Sequence, residues 1–364
     1  MTAITTSKLW VNRLLAWFED NQREMPWRSN SLPYYVWVSE MMLQQTQVST
    51  VIPYFNRFIH RFPTLEILAQ SDQQDVLKQW EGLGYYSRAR NLHKAAQYIT
   101  NKLSNKVPST YEKLQELPGV GPYIAAAVAS IAFEVPVPVV DGNVLRVFSR
   151  FWGVFDDIRH SKVRTKLFDR LTPIVQSVKR PSQFNQAIME LGALVCTPTK
   201  SPHCNHCPIS SACYANAHHK QAELPYKSKS KPTPHYDIAV GVIRKGDTIL
   251  IGKRKQDQML GGLWEFPGGK QTDKEPLEAT VLREVKEETG LEVKINKKIT
   301  SVKHAYTHFK ITLHAYDCRY VSGKAMAYTT DDIRWVSLDE LEKYPFPKAN
   351  SKLLEVYKKD YLGF

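Results

Sequence analysis

Leu117–Val144 reads LPGVGPYIAAAVASIAFEVPVPVVDGNV, and the fold turns on how this stretch is understood. In Leu117-Pro118-Gly119-Val120-Gly121 the proline stops one helix, and the two glycines let the backbone turn tightly with its N–H groups exposed. The apolar, alanine-rich run from Ile124 then begins a second helix, whose N-terminal dipole favours an anion such as a phosphate. A Cβ at Gly119 or Gly121 would hold that phosphate away from the amides. Taken alone, the hairpin is also compatible with an ordinary helix–turn–helix connection. Asp141, in the downstream VDGN, tells against coincidence.

Composition sets the frame around this motif. At 364 residues the chain is long enough for two domains with separate cores. The formal net charge of +13 points to a polyanionic partner, with DNA ahead of RNA or a membrane surface. The N-terminal MTAITTSKLWVNRLLAWFED lacks the basic-then-apolar design of a signal peptide, and no apolar run reaches transmembrane length. A cytoplasmic protein without a membrane role is therefore expected. Five cysteines, four of them within eighteen residues, argue for a metal centre in a reducing compartment rather than a disulfide framework.

Periodicity divides the chain. Helical spacing of apolar residues runs through Leu9–Phe18, Val36–Phe58, Thr64–Trp80, Ala89–Leu103, Ile124–Phe133 and Phe184–Val195. A Lys-, Ser- and Pro-rich segment over 218–235 reads as a linker. Beyond it Ile238–Arg244 and Thr248–Lys253 alternate like paired strands, a helix covers Leu277–Thr289, and further strands fall near Val302–Arg319. The expected boundaries are a helical domain at 1–217, the linker, and a smaller α/β domain at 236–364.

Three clusters carry chemistry. Cys196, Cys204, Cys207 and Cys213 follow C-x7-C-x2-C-x5-C, which can hold a 4Fe–4S iron–sulfur cluster or a structural zinc, with His203 and His206 available to the zinc alternative. Cys318 stands alone and reads as a core thiol. Glu40 is the only carboxylate in Val36–Phe58; among Trp37, Met41 and Leu43 it would be desolvated and keep a proton near neutral pH. Periodicity by itself favours an exposed glutamate there. Finally, Gly269, Glu275, Arg283, Glu284, Glu287, Glu288 and Gly290 fit G-x5-E-x7-R-E-V-x-E-E-x-G-L, and Glu284, Glu287 and Glu288 share one helix face. Such crowding of like charge is costly unless a divalent cation or basic neighbours offset it.

These residues together resemble the adenine DNA glycosylases of the MutY type: a helix-hairpin-helix core of the endonuclease III superfamily, then a C-terminal Nudix-like domain. The resemblance implies a multidomain protein, with an all-α glycosylase core, an iron–sulfur subdomain and a smaller α/β Nudix-like domain. SEMMLQQTQV places Glu40 at the family's catalytic glutamate and VDGN places Asp141 at its catalytic aspartate. Bifunctional members of the superfamily carry a lysine two residues after the second hairpin glycine; here Tyr123 stands there, which implies a monofunctional enzyme that leaves the strand whole. By the same resemblance Trp27, Arg28 and Gln186 line the adenine pocket, Gln45 and Tyr85 intercalate beside the partner base, and Gln44 and Thr46 share that contact region. Gly119 and Gly121 grip the backbone.

In the family the cysteine set holds a 4Fe–4S cluster, with six residues in the first gap where this chain has seven. His304-Ala305-Tyr306-Thr307-His308 is similar to the loop that contacts 8-oxoguanine, so Tyr306, Thr307 and His308 are the expected readers; a plain β-turn is the alternative. The implied activity is hydrolysis of adenine from double-stranded DNA, opposite 8-oxoguanine or guanine, by a monomer acting on the bacterial nucleoid. The Nudix box is complete although such domains in this family usually carry a degraded one. A Nudix-type hydrolase of oxidised nucleotides fused to a DNA-binding module, with a divalent cation on the acidic helix, is thus the alternative enzyme. A catalytically silent lesion-binding protein is a third reading, against which the presence of both Glu40 and Asp141 argues.

Overall fold

The computed structural model describes residues 3–228, 232–272 and 275–362; positions 229–231 of the expected linker lie outside the described residues. In chain order the helices are α1 (Ala3–Asn21), α2 (Pro26–Ser29), α3 (Pro33–Leu43), α4 (Val48–Arg61), α5 (Leu65–Gln70), α6 (Gln73–Trp80), α7 (Ser87–Lys102), α8 (Tyr111–Gln115), α9 (Pro122–Phe133), α10 (Gly142–Trp152), α11 (Ser161–Ser177), α12 (Pro181–Leu194), α13 (Tyr214–Ala217), α14 (Leu277–Thr289) and α15 (Lys348–Leu362). The strands are β1 (His235–Lys245), β2 (Thr248–Lys253), β3 (Trp264–Glu265), β4 (Gly268–Lys270), β5 (Glu292–Ala305), β6 (Lys310–Ser322) and β7 (Asp332–Ser337). The chain divides into two compact units, Met1–Ala69 with Lys94–Ser230, and Gln70–His93 with Lys231–Phe364.

The first unit is helical. Its core joins Trp10, Leu14 and Phe18 of α1, Phe148 and Phe151 of α10, and Phe184, Ile188 and Leu191 of α12. Each such side chain contributes about 1.5–3 kcal/mol by leaving water. Helix α9 starts with Pro122 at a position where a missing N–H costs nothing, and its small residues Ala125, Ala126, Ala127 and Ala129 are buried. That thin waist lets α9 pack against α3, α8 and α12. Helix α10 is closed at both ends: Asp141 caps the start by accepting from the Val144 N–H, and Gly153 ends it at a left-handed φ of 66°.

Two expected helices are each broken in two. Val36–Phe58 divides into α3 and α4 because Gln44-Gln45-Thr46-Gln47 offers no apolar side chain to a core, and Gln45 takes a left-handed φ of 57°. Thr64–Trp80 divides at Ser71-Asp72, where Asp72 caps α6 through the Gln74 N–H.

The second unit is a mixed sheet of order β3-β2-β1-β6-β5, with β4 pairing β1 and β7 pairing β2; β1 and β6 run parallel. Alternation along β1 sends Ala239 and Ile243 to one face and Val240 and Val242 to the other. Val281 and Val285 of α14 cover the first face, and Leu353, Leu354 and Tyr357 of α15 cover the second. Cys318 is fully buried in the α14 core, as its isolated position suggested. Helix α6 belongs to this unit although it precedes the sheet by more than a hundred residues.

Candidate active site

Within the first unit a pocket of about 1030 Å3 is lined by Trp27, Arg28, Glu40, Gln45, Thr46, Tyr123, Asp141 and Gln186, among others. Residues selected from four separate stretches of sequence thus meet in one place. A second depression of about 870 Å3, bordered by Tyr34, Pro63, Val107 and Phe133, contains none of the expected residues.

Glu40 is carried by α3 and is 5% exposed. Burial pushes its carboxyl up to about 7, and nearby Asp141 adds to the rise, while the Tyr123 hydrogen bond and Arg28 oppose it. The phenol of Tyr123, on the first turn of α9, donates to Glu40 Oε2 at 2.6 Å. Burial and the two carboxylates keep that phenol protonated well beyond its ordinary range. A phenol donating to Oε2 leaves Oε1 as the atom on which a transferable proton can sit.

Asp141 stands at the start of α10, where the helix dipole favours its negative form. It accepts from the Val144 N–H at 2.7 Å and from Asn143 Nδ2 at 2.9 Å. Burial still raises its pKa, with those two bonds and Arg146 pulling the other way. Gly192 of α12 makes this arrangement fit: a Cβ there would sit 2.6 Å from the Asn143 Cβ.

Glu190 is a pocket residue that sequence reasoning missed. It is 2% exposed and receives both Arg23 Nε at 2.6 Å and Arg28 Nη2 at 2.9 Å. Burial pushes its carboxyl up, but these two arginines hold it below the usual range. Arg28 in turn donates to Gln186 Oε1 at 2.9 Å, so Glu190 orients the Arg28–Gln186 pair on the pocket wall. No motif announced it, since it sits in an ordinary amphipathic helix. Arg146 was missed as well; it donates to Asn143 Oδ1, Gly192 O and Cys196 O, each at 2.7 Å.

In the hairpin, Gly119 adopts φ 73°, which a side chain disfavours, whereas Gly121 has ordinary backbone and empty space around its missing Cβ. Gly121 caps α9, so that open space faces a helix start where an anion is favoured.

The four cysteines lie around α13 and the loop after α12. Burial pushes the Cys207 thiol up to about 12, and Cys196, Cys213 and Cys204 add to the rise, so the four are electrostatic neighbours. Arg150 Nη1 donates to Cys196 Sγ at 3.3 Å. Among the described residues no three His, Cys, Asp or Glu side chains converge on a point that a single ion could fill.

In the second unit Tyr85 takes a left-handed φ of 48°, and its hydroxyl is hydrogen-bonded to Thr307 Oγ1. Tyr306 to Phe309 form the β5–β6 turn, closed by the Tyr306 N–H on Phe309 O at 2.8 Å. Tyr306 packs on Phe309, while Thr307 and His308 are exposed at the tip. Arg283 of α14 binds Glu284 and Glu287 on the same helix and Glu275 just before it; Arg254 binds Glu265 of β3, and Glu288 accepts from the Gly268 N–H. Arg283 thus offsets part of the crowding on this helix, while burial, with Glu265 and Glu284 nearby, pushes the Glu288 carboxyl up to about 7.

Residues 38–173 match the family described as HhH-GPD superfamily base excision DNA repair protein, and residues 239–356 match the NUDIX domain. The chain is 33% identical to an adenine DNA glycosylase of Buchnera aphidicola subsp. Schizaphis graminum, over 98% of this chain and 100% of that one. The chain belongs to the adenine DNA glycosylase family. A family member from Rattus norvegicus is 34% identical over 96% of this chain and 78% of its own length. Among solved structures, a thermostable thymine-DNA glycosylase aligns with TM-score 0.54 and 26% identity, covering 60% of this chain and all of that one. An endonuclease III–DNA complex aligns at TM-score 0.51 and 23% identity, covering 61% of this chain and all of that one, which supports the helical fold alone. The protein is accordingly a DNA glycosylase, and no helix among the described residues is long and apolar enough to cross a membrane.

Proposed function

We propose that the chain hydrolyses the N-glycosidic bond of adenine placed opposite 8-oxoguanine or guanine, and leaves the strand intact. The observation that carries this reading is the Tyr123–Glu40 hydrogen bond in a pocket shared with Asp141. Adenine leaves readily only when a ring nitrogen is protonated, and Glu40 is a buried acid able to hold a proton near neutral pH. As the base departs the sugar gains oxocarbenium character, which the Asp141 carboxylate stabilises electrostatically or by transient attack. Water completes the hydrolysis. Tyr123 occupies the position at which an amine would be needed to form a Schiff base, and a phenol cannot do so.

The target base must leave the duplex to reach this pocket. Trp27, Arg28 and Gln186 then bound the adenine, and the hairpin amides at Gly119 and Gly121 hold a phosphate. Gln45, with Gln44 and Thr46 beside it, is read as one wedge for the hole, and Tyr85 of the second unit as another. The left-handed backbone of both wedge residues is the kind of strain that function sustains. Tyr306, Thr307 and His308 read the 8-oxoguanine. Cys196, Cys204, Cys207 and Cys213 would hold a 4Fe–4S cluster, which supplies a structural staple for the DNA-docking loops. Purified protein should carry iron and acid-labile sulfide in equal amounts, and zinc in their place would reject this part. The setting inferred is the nucleoid DNA of a bacterial cytoplasm, with the protein as a monomer.

The fused-hydrolase reading is the alternative, and the tether to a complete glycosylase core weighs against it. Its test uses the full chain, because residues 70–93 are part of the second unit: no turnover of 8-oxo-dGTP with Mg2+ is expected. The central experiment incubates the protein with A opposite 8-oxoguanine, A opposite G and an A·T control, with and without alkali. Strand breaks that need alkali and occur only in the two mispairs are expected; breaks without alkali, or none at all, would reject the proposal.

A further inference from the structure

Residues 70–93 share a compact unit with the sheet, and the bonds that hold them there are specific. Gln74 uses both halves of its amide: Oε1 accepts from the buried Trp264 Nε1 at 2.8 Å, and Nε2 donates to Gly262 O at 2.9 Å. Glu81 Oε1 accepts from the Phe346 N–H at 2.9 Å and from Ser351 Oγ at 3.3 Å, while Oε2 accepts from Lys78 Nζ at 2.6 Å. Arg90 Nη1 donates to Gly261 O at 2.5 Å.

Between these anchors lies the loop that carries Tyr85. Gly82 and Gly84 have φ of 99° and 73°, which glycine adopts freely, whereas Tyr85 has 48°, which a side chain sustains only where its surroundings hold it. Arg88 holds it from one side: its guanidinium donates to Gly84 O at 3.2 Å and stands 5.5 Å from the Trp80 ring and 5.2 Å from the Tyr85 ring. Tyr86 holds it from another, accepting from the Gly82 N–H at 3.1 Å and donating to Phe346 O at 3.3 Å. The Tyr85 hydroxyl meets Thr307 on the β5–β6 turn.

We propose that Gln74 and Glu81 are positioning residues that fix Tyr85 and the Thr307 turn as one composite reader of the partner base. The inference rests on the reading of Tyr85 as a wedge and Thr307 as a lesion contact. A wedge on an independent body could insert beside any purine. A wedge bonded to the reading turn gains its stacking energy only when that turn is also seated, so stacking is added selectively to the 8-oxoguanine complex. Neither residue touches the adenine pocket, so the chemical step is left alone.

The test compares the full chain with Gln74→Ala, Glu81→Ala and Glu81→Gln on duplexes holding A opposite 8-oxoguanine or G. Duplex affinity and single-turnover release are read separately, and a 2-aminopurine beside the lesion reports insertion of the wedge. Both alanine variants should lose at least about fivefold in the preference for 8-oxoguanine, through affinity, with saturated turnover on the G duplex unchanged. Their 2-aminopurine signal should drop. Glu81→Gln keeps an acceptor for the Phe346 N–H and should recover most of the preference. An unchanged preference, an equal fall on both duplexes, or no recovery in Glu81→Gln would overturn the inference. A wild-type chain with no preference between the duplexes would instead remove the reading of Tyr85 and Thr307 on which it rests, and the inference with it.

Discussion

Tyr123 donates its phenolic proton to Glu40 Oε2 at 2.6 Å, so the residue in the lysine position of bifunctional relatives bears directly on the acid. Adenine release that needs protonated Glu40 should fall as pH rises through about 7. Tyr123→Phe deletes a donor that favours the ionised carboxylate, so Glu40 should hold its proton longer. The fall in single-turnover rate should move up by about one pH unit, the size expected for a charge-assisted hydrogen bond. A profile that stays in place would show that the phenol does not govern the proton.

Glu40 should also leave a mark on stability. Its folded pKa of about 7 lies above the ordinary 4.5, so between those values the unfolded chain has released a proton that the folded chain keeps. Folding then weakens as pH rises across that window, by about 3 kcal/mol in total, and is indifferent to this group outside it. Denaturation of Glu40→Gln beside wild type should show a gap that opens from pH 4.5 to 7 in favour of the variant. A constant gap would mean that Glu40 is not protonated at neutrality.

Asp141→Asn separates capping from charge. Asparagine caps helices as well as aspartate does, so α10 should remain intact. Adenine release should drop at least about 1,000-fold, while duplex affinity stays within a few-fold of wild type. Full activity in this variant would remove the carboxylate from the mechanism.

Gly192→Ala probes the floor beneath Asp141. The new Cβ would lie 2.6 Å from the Asn143 Cβ and 3.2 Å from its Cα, so backbone must move. Overpacking of this kind costs about 1–3 kcal/mol. Displacing Asn143 also withdraws the 2.9 Å bond to Asp141 Oδ2, so activity should fall further than thermal stability predicts. Equal losses in both would mean that Gly192 serves packing alone.

The parts of this protein legible in its sequence are those written in unusual residues at fixed spacing. The glycine hairpin, Asp141, the cysteine set and the acidic helix each have chemistry that few other arrangements explain. Glu40 needed a resemblance, because a glutamate on a helix looks the same buried or exposed. Glu190 was illegible for a related reason: its importance comes from Arg23 and Arg28, which reach it from the other end of the unit. The break at Gln44–Gln47 was hidden by apolar spacing that continues on both sides. The allegiance of α6 was hidden most deeply, since an amphipathic helix does not declare which core will cover it.

That allegiance has a consequence in time. Residues 70–93 leave the ribosome well before Lys231, the first residue of the rest of their unit. At about 5–20 residues per second this interval lasts roughly 7–28 s. Throughout it the Gln74 amide and the Glu81 carboxylate have none of their Trp264, Gly262 or Phe346 partners. The loop that carries Tyr85 is therefore made early and finished last, and a ribosome that stalls before the sheet releases a chain in which residues 70–93 lack the rest of their unit.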